Sequence, residues 1–479
     1  MKRSSSFSLC AMTAIICVGF LSELRAQDFV PGEIIVRFNA TPDPQSLDSV
    51  EESIGTDVQW RKLRHAPHAK GMPDQPHPLS YFRIAKVSEE LDVAQLCKQV
   101  ARVNGIEFAC VNRIPKPGFV PNDSLFSSQW AHQKINTESA WDVSTGSHDV
   151  IVAIVDTGCR SSHQDLAQNI WINDDDPVNG IDDDNNGFVD DNFGWNFDSN
   201  NNSINDVFGH GTQVSGIVAA QIDNGVGIAG MSNSRIMTAK WLHNSGSESS
   251  VAESVFYAVD NGAHVMNLSL SCSCLLPMVE VAVDFAFDSG VVVVVSSGND
   301  GNGAPDYPAA YENVICVGAI NINDQRAGFS NFGPHLDVVG PSPGIVSISP
   351  SSNTQYVDFG GTSAAAPHVA GLVALMLSID PSLTPTQVRN TLQENAVDFG
   401  QTGFDDFYGH GRIDAAATIA ALIVVQGDIN LDGSVNLLDV APFVELLTNG
   451  GFQAEADINK DGAVDLLDVT PFVELLTGN

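Results

Sequence analysis

Five continuous apolar segments in the middle of the chain most constrain its fold. They read DVIVAIVDTG, SRIMTAKWL, AHVMNLSL, SGVVVVVSSGN and VICVGAI, and each closes on polar or glycine-containing residues. Such runs are typical of parallel strands that are buried on both faces, with helices between them. Ligands of these sheets bind at the carboxyl ends of the strands. Residues 119–423 are therefore predicted to form an α/β domain whose chemistry lies at one edge of the sheet.

The N-terminal residues have the pattern of a secretory signal peptide. Lys2 and Arg3 precede an apolar run from about Leu9 to Leu21, which ends before Ala26. No later stretch of about 18 apolar residues follows, so the mature protein is predicted to have no membrane span. Residues 1–26 are assigned to the signal, and the mature form is expected to be secreted or associated with the cell surface.

The predicted secretion places the remaining cysteines in a compartment that permits disulfides. Six cysteines remain after the predicted signal is removed, and their pairing cannot be deduced from the sequence. Cys272 and Cys274 are expected to be too close in the chain for an easy mutual bond.

The charge balance excludes some partners. The chain has 22 Lys+Arg against 58 Asp+Glu, a formal net charge of −36. Such a charge disfavours binding to nucleic acid or to anionic membranes. Many of the acids cluster with Asn and Gly, which is the composition that calcium sites require, although a solubilising acidic surface explains most of the excess.

Residues 27–118 alternate strand-like and helix-like segments. GEIIVRF and IEFACVNRI read as strands, and LDVAQLCKQVARV between them has helical spacing. This predicts a small α+β unit. A loop with three prolines, PKPGFVPNDS, marks its end.

Three polar residues stand out within the α/β domain. Asp156 ends a buried strand, His210 lies between two glycines at a helix start, and Ser363 begins an apolar helix after Gly360 and Gly361. Taken alone, each of these residues more often has a structural role. An aspartate at a strand end often caps a turn, a lone histidine often belongs to the core, and a serine at a helix start often caps the helix. Together they are the groups that acyl transfer needs, namely a nucleophile, a base and a residue that orients the base.

The three motifs DTG, HGTQVSG and GTSAAAPHVAG resemble, in order and spacing, the signatures of subtilisin-like serine proteases, the subtilases. The resemblance implies a subtilisin-like parallel sheet flanked by helices and a serine endopeptidase acting on polypeptides. It implies that Ser363 is the nucleophile, that His210 is its base and that Asp156 orients the base. The segment SSGND puts Asn299 where the family keeps its oxyanion asparagine. Gln213, Ala364 and Cys159 depart from the usual pattern without removing a catalytic group.

The same resemblance implies the residues of the main side-chain pocket. They are Ser269, Leu270, Ser271, Ser297 and Gly298. Ser271 and Cys272 replace glycines that are frequent in the family. This replacement narrows the floor of the pocket or makes it more polar. An apolar or mixed preference is expected. Residues 27–118 resemble the propeptide of this family, and the alternative of an ordinary attached N-terminal domain remains open.

The last 56 residues, 424–479, contain an internal repeat. GDINLDGSVNLLDVAPFVELLTNG recurs as ADINKDGAVDLLDVTPFVELLTGN, and the repeat predicts two calcium loops of 12 residues with Asp in place of the usual final Glu. The predicted ligands of the first loop are Asp428, Asn430, Asp432, Ser434, Asn436 and Asp439. Those of the second loop are Asp457, Asn459, Asp461, Ala463, Asp465 and Asp468.

The repeat resembles a type I dockerin domain, an all-α, EF-hand-like unit. The resemblance implies binding to a cohesin-bearing scaffold or cell-surface protein through Leu437-Leu438 and Leu466-Leu467. These leucines can equally belong to the core of the repeat. A third cluster, at Asp182, Asp184 and Asn186, has similar spacing but Phe193 at position 12, and it reads either as a calcium loop or as a solvated turn.

Two functions are consistent with these patterns. The first is a secreted, calcium-stabilised serine endopeptidase tethered or docked through its tail. The second is a catalytically inert surface or scaffold-assembly protein that acts through the dockerin. The complete set of Asp156, His210, Asn299 and Ser363 favours the first, because an inert core would be free to lose it.

Overall fold

The computed structural model describes residues 29–56, 58–63, 78–88, 91, 93–113, 118–242, 246–423, 426–429, 435, 439–451, 453, 455–459 and 463–477. Residues 118–425 form one compact unit that is separate from the residues on either side of it. The predicted signal peptide lies outside the described residues.

The N-terminal unit is a four-stranded antiparallel sheet with two helices. Its elements are β1 (Phe29–Phe38), α1 (Pro44–Ile54), β2 (Gln59–Lys62), β3 (Phe82–Lys86), α2 (Val93–Val100) and β4 (Ile106–Arg113). The strand order is β2-β3-β1-β4. Burial alternates along β1, as one covered face requires. Its core joins Ile34 and Val36 of the sheet to Val50 of α1 and Val100 of α2.

The central unit contains a seven-stranded sheet in the order β11-β10-β9-β8-β5-β7-β6. All of its strand pairs are parallel. The strands are β5 (Ile151–Asp156), β6 (Gly194–Asn196), β7 (Arg235–Lys240), β8 (Val265–Leu268), β9 (Val292–Ser296), β10 (Ile315–Ile320) and β11 (Val338–Pro341). A separate hairpin joins β12 (Ile345–Ile348) to β13 (Tyr356–Phe359).

Helices cover both faces of this sheet. They are α3 (Trp130–Lys134), α4 (Thr137–Trp141), α5 (His210–Ala219), α6 (Glu248–Asp260), α7 (Pro277–Asp288), α8 (Thr362–Ile379), α9 (Pro385–Glu394) and α10 (Ala415–Leu422). Alternate residues of each strand enter opposite cores: Val152 and Ile154 of β5 pack with α5 and α8, whereas Ala153 and Val155 pack with α6 and α7. The predicted α/β fold is therefore confirmed, and burial on both faces explains the uninterrupted apolar runs.

The C-terminal residues form two short helices, α11 (Val440–Asn449) and α12 (Val469–Thr477). The rings of Phe443 and Phe472 lie 4.2 Å apart between their centroids. Ile429 and Ala456 complete the buried part of this small core. Each repeat thus contributes one helix and one phenylalanine, and each covers the apolar face that the other exposes.

Two structural details concern the sequence expectations. Cys272 and Cys274 are joined in a disulfide with their Cα atoms 5.2 Å apart, so the expectation that they are too close to bond was wrong. That Cα separation is within the range a disulfide can span. Among the described helices, α8 is the one long and apolar enough to cross a membrane, and it is mostly buried inside the central unit.

Candidate active site

Asp156 is the last residue of β5, at the carboxyl edge of the sheet. Its side chain is buried, and Oδ1 accepts a 2.7 Å hydrogen bond from the Thr157 amide. His210 Nδ1 lies 2.8 Å from Asp156 Oδ1 and 2.9 Å from Oδ2. The carboxylate therefore fixes the imidazole by its Nδ1–H, which leaves Nε2 as the basic nitrogen.

Two glycines set the position of His210 at the start of α5. Gly209 has a φ of +92°, and a Cβ added there would lie 2.3 Å from Pro350 Cγ. A Cβ on Gly211 would lie 2.3 Å from the Gly158 carbonyl oxygen. No side chain fits at either position, so Gly209 is required by the close approach of Pro350 and Gly211 by the close approach of the turn after β5.

Asp206 is a part of this site that the sequence reasoning missed. Its carboxylate accepts hydrogen bonds from the amides of Gly209 at 2.7 Å and Thr212 at 2.9 Å, and from the Thr157 hydroxyl at 2.9 Å. It therefore caps α5 and ties the helix to the residue after Asp156. An aspartate four residues before the histidine of a helix start is the pattern by which it could have been found.

The pKa of His210 is raised above its ordinary value. Burial is the largest influence and lowers this pKa, but the charge of Asp156, the hydrogen bond to it and the charge of Asp206 together outweigh burial. The Phe359 ring stands edge-on against the imidazole, with centroids 5.3 Å apart. About a third of the histidine side chain remains exposed, so a substrate can reach it.

Ser363 is the second residue of α8, directly after Gly361 and Thr362. Its side chain is buried, and Oγ donates a long hydrogen bond of 3.5 Å to the Ser269 carbonyl oxygen. No hydrogen bond joins Ser363 to the His210 ring within the described residues. Catalytic hydrogen bonds are often long before substrate binds. The amide of Ser363 lies in the first turn of α8, where backbone N–H groups have no partner in the helix.

Asn299 lies beside the start of α8. Its Oδ1 accepts hydrogen bonds from the Thr362 amide at 2.8 Å and the Thr362 hydroxyl at 3.1 Å. This fixes the side chain with Nδ2 unengaged by any residue in the described part of the chain. The residue is exposed. An oriented amide donor next to a nucleophile is the arrangement that stabilises a developing oxyanion.

The two predicted pocket segments flank Ser363. The Ser269 hydroxyl donates to the Ser363 carbonyl oxygen at 3.3 Å, and the Gly298 carbonyl oxygen accepts from the Thr362 hydroxyl at 3.3 Å. Ser297 is fully buried, while Leu270 is half-buried and Ser271 is exposed. The structure thus brings Ser269 against Ser363, and Gly298 and Asn299 against the adjacent Thr362.

Some of the predicted calcium ligands of the C-terminal repeat lie within the described residues. Asp468 is fully buried, and its carboxylate accepts from the Asn459 amide at 3.0 Å and the Asp465 amide at 2.9 Å. Asp428, Asp439 and Asp457 are also buried. Asn430, Asp432, Ser434, Asn436 and Asp461 lie outside the described residues. Within the described part, no group of three or more His, Cys, Asp or Glu is placed to hold a metal.

Family comparisons agree with this geometry. The subtilase family model matches residues 147–411, more than half of the chain. The chain belongs to the subtilase family. A type I dockerin domain matches residues 426–471, and the N-terminal prodomain of fervidolysin matches residues 21–112.

Individual subtilases extend the comparison. A thermophilic serine proteinase of Bacillus sp. (strain AK1) is 35% identical over 391 residues, which are 81% of this chain and 87% of that protein. Thermitase of Thermoactinomyces vulgaris is 37% identical over 301 residues, 62% of this chain and 98% of thermitase. A solved protease structure from Pseudoalteromonas arctica PAMC 21717 has a TM-score of 0.54 at 32% identity, covering 64% of this chain and 100% of the other. This subtilase is therefore a serine-type endopeptidase with a dockerin type I domain.

The acidic loop at 182–191 of the subtilase unit folds around its own carboxylates. Asp182 accepts from the amides of Asn186 at 3.1 Å and Gly187 at 3.0 Å, and Asn186 Nδ2 donates to Asp184 at 3.0 Å. The Tyr257 hydroxyl donates to Asp191 at 2.7 Å, and burial raises the pKa of that carboxyl. Dockerins and subtilases are generally calcium-binding, and the oxygen donors in this loop are of the kind that calcium takes.

Proposed function

We propose that Asp156, His210 and Ser363 are the catalytic triad of this endopeptidase, with Asn299 Nδ2 and the Ser363 amide as the oxyanion donors. The observation that carries the proposal is the pair of contacts from His210 Nδ1 to Asp156, since only an imidazole held by Nδ1 presents Nε2 as a base. The position of Ser363 at the start of α8, beside the amide of Asn299, supports the other two roles.

In this mechanism the Ser363 hydroxyl attacks the substrate carbonyl carbon while His210 Nε2 takes the hydroxyl proton. The carbonyl oxygen becomes negative and receives hydrogen bonds from Asn299 and the Ser363 amide. His210 then gives its proton to the leaving amine, and the acyl-enzyme forms. Water, deprotonated by the same imidazole, releases the acyl group and restores the serine. Asp156 keeps its contact with Nδ1 and stabilises the charged imidazolium.

We further propose how the precursor is organised. Residues 1–26 direct secretion, residues 27–118 are a propeptide that is removed, residues 119–423 are the peptidase and residues 424–479 are the dockerin. The match of residues 21–112 to a prodomain supports the second boundary. N-terminal sequencing of the mature secreted protein locates the cut.

The tail is proposed to bind calcium through its two loops and to dock on a cohesin-bearing scaffold or cell-surface protein. Support comes from the dockerin match and from Leu466 and Leu467, which are 80% and 66% exposed. Among the described residues these leucines are not part of the tail's core, which supports a role in binding a partner. The corresponding pair, Leu437-Leu438, lies outside the described residues. Pull-down with a cohesin module, in calcium and in chelator, tests docking.

The catalytic assignment is tested with a fluorophosphonate, which reacts only with an activated serine. The mature protein should be labelled, and Ser363→Ala should abolish both labelling and peptidase activity while the melting temperature stays near that of the wild type. Ser289→Ala, which changes an exposed serine after α7, is the control and should label normally. An active, labelled Ser363→Ala protein would contradict the assignment.

A further inference from the structure

A buried carboxylate lies directly behind the substrate cleft. Asp306 precedes Tyr307, whose backbone pairs with that of Cys272 through hydrogen bonds of 2.8 and 2.9 Å. This pairing holds Asp306 beside residues 269–271, one of the two segments that flank Ser363. Its side chain is 3% exposed, and burial raises the pKa of its carboxyl.

The second cleft segment meets the same carboxylate. A Cβ added to Gly298 would lie 2.4 Å from Asp306 Oδ2 and 2.3 Å from Asn331 Nδ2. Glycine at 298 therefore leaves the carboxylate separated from the cleft by backbone alone. Asn331 Nδ2 donates to Oδ2 at 3.0 Å, and the Ser271 side chain lies near enough to lower the pKa of the carboxyl. Both cleft segments thus converge on Asp306.

No cation neutralises Asp306 within the described residues, since none of the ion pairs found there includes it. The charge of Asp300 raises the pKa of the Asp306 carboxyl further, and the ring of His335 acts in the opposite direction. Burial, the largest influence, lowers the pKa of His335 below its ordinary value, so this ring is mostly neutral at pH 7. An ionised carboxylate in such a place is costly until a positive group pairs with it.

We propose that Asp306 makes this endopeptidase select a cationic side chain, arginine or lysine, on the substrate residue before the scissile bond. The inference rests on the proposed catalytic function. In that mechanism the substrate carbonyl under attack lies between Ser363 and Asn299. The side chain of the residue that carries this carbonyl therefore enters between residues 269–271 and Gly298 and points towards Asp306. A planar guanidinium is matched to a carboxylate by two parallel hydrogen bonds, which favours arginine over lysine.

The overall charge of the chain agrees with a cationic substrate. A formal net charge of −36 attracts basic polypeptides and raises their encounter rate at low ionic strength. The polar side chains of Ser271 and Asn331 near Asp306 also suit a hydrogen-bonding head group better than an apolar one. This preference differs from the apolar or mixed one expected from the sequence.

The first experiment needs only the mature wild-type protein. Peptides that differ only in the residue before the cut, with arginine, citrulline or leucine, are compared by kcat/KM. Citrulline has the shape of arginine without its charge, so charge recognition is isolated. Arginine should exceed citrulline by at least about tenfold, which corresponds to about 1.4 kcal/mol. Equal rates for arginine and citrulline would overturn the proposal.

A pair of variants then assigns the preference to one carboxylate. Asp306→Asn should remove most of the arginine-to-citrulline ratio, whereas Asp300→Asn, which neutralises an exposed carboxylate of the same loop, should retain the preference. An unchanged ratio in Asp306→Asn would refute the assignment. Fluorophosphonate labelling of the wild-type enzyme distinguishes failure of this inference from failure of the catalytic proposal. A labelled enzyme without charge preference refutes only this inference, and an unlabelled enzyme refutes the catalytic proposal.

Discussion

The protonation state of His210 is set by two carboxylates with different geometries. Asp156 contacts the ring nitrogen directly, while Asp206 acts through space and through the first turn of α5. Both raise the pKa of the imidazole, against the opposing effect of burial. Since the proposed base must be neutral, activity should be lost as the pH falls through this raised pKa. Asp206 is thus proposed as a positioning residue that adds to the effect of Asp156 on the pKa of His210.

Asp206→Asn should move the acid limb of the kcat/KM profile to lower pH. The variant removes one of the charges that stabilise imidazolium, so His210 stays neutral at lower pH. Both carboxylate oxygens accept hydrogen bonds, and asparagine has only one acceptor oxygen, so stability should also fall by roughly 1–3 kcal/mol. The measurement is kcat/KM against pH with a neutral peptide. The control is Asp288→Asn, which neutralises an exposed carboxylate at the end of α7 and should leave the profile unchanged. If the acid limb of Asp206→Asn moved to higher pH, this role of Asp206 would be refuted.

At the scale of elements, the site depends on how closely α5 approaches the turn after β5. The carboxylate and the imidazole belong to different elements, and their contact requires the helix to begin against Gly158. Apolar packing of Val214 and Val218 on Val152 and Ile154 supplies the energy that holds the helix there. Residues far from the chemistry therefore control the distance between Asp156 and His210.

Gly211→Ala should separate these two elements. The new Cβ would lie 2.3 Å from the Gly158 carbonyl oxygen and 3.0 Å from Asp156 Cβ. Overpacking of this kind costs roughly 1–3 kcal/mol, and a displacement of about 1 Å at a catalytic group can cost on the order of 100-fold in rate. We expect kcat/KM to fall at least about tenfold and the melting temperature to drop.

Gly328→Ala is the matched control, because a Cβ there meets nothing within 4 Å. Thermal unfolding and kcat/KM are measured for both variants. Wild-type activity in Gly211→Ala would show that α5 tolerates displacement and that the close approach is unimportant.

At the scale of the whole molecule, the chain combines a subtilase domain with a dockerin type I domain. The tail core consists of few side chains, with Phe443 against Phe472 at its centre. A core of this size rarely stabilises a domain alone, and bound metal commonly supplies the remainder. Calcium binding to the tail is therefore expected to order it.

Asp457→Asn combined with Asp468→Asn should weaken calcium binding at the second loop by at least about tenfold, because calcium affinity depends on the number of charged ligands. Both carboxylates are buried. Calorimetric titration of the intact, chelator-treated protein measures the loss, and cleavage of a short peptide should be unchanged. Glu455→Gln removes a nearby charge outside the loop ligands and serves as the control. Wild-type affinity at every site in the double variant would contradict the predicted ligand set.

The sequence by itself determined the α/β architecture and predicted which groups react. The apolar runs predict five of the seven strands of the sheet, because burial on both faces leaves a continuous local pattern. β6 and β11 were not predicted: β6 has only three residues, and β11 contains Gly340 and ends at Pro341. The positions of Asp156 at a strand end and of His210 and Ser363 at helix starts are likewise local features.

Tertiary structure alone decided which other side chains share the site. Asp206 meets Thr157 across 49 positions of sequence, and Asp306 lies behind Gly298 because Tyr307 pairs with Cys272. Neither contact leaves a periodic pattern, since each joins loop residues that meet only after the sheet has formed. The charge around His210 and the charge behind the cleft are therefore properties of the folded chain.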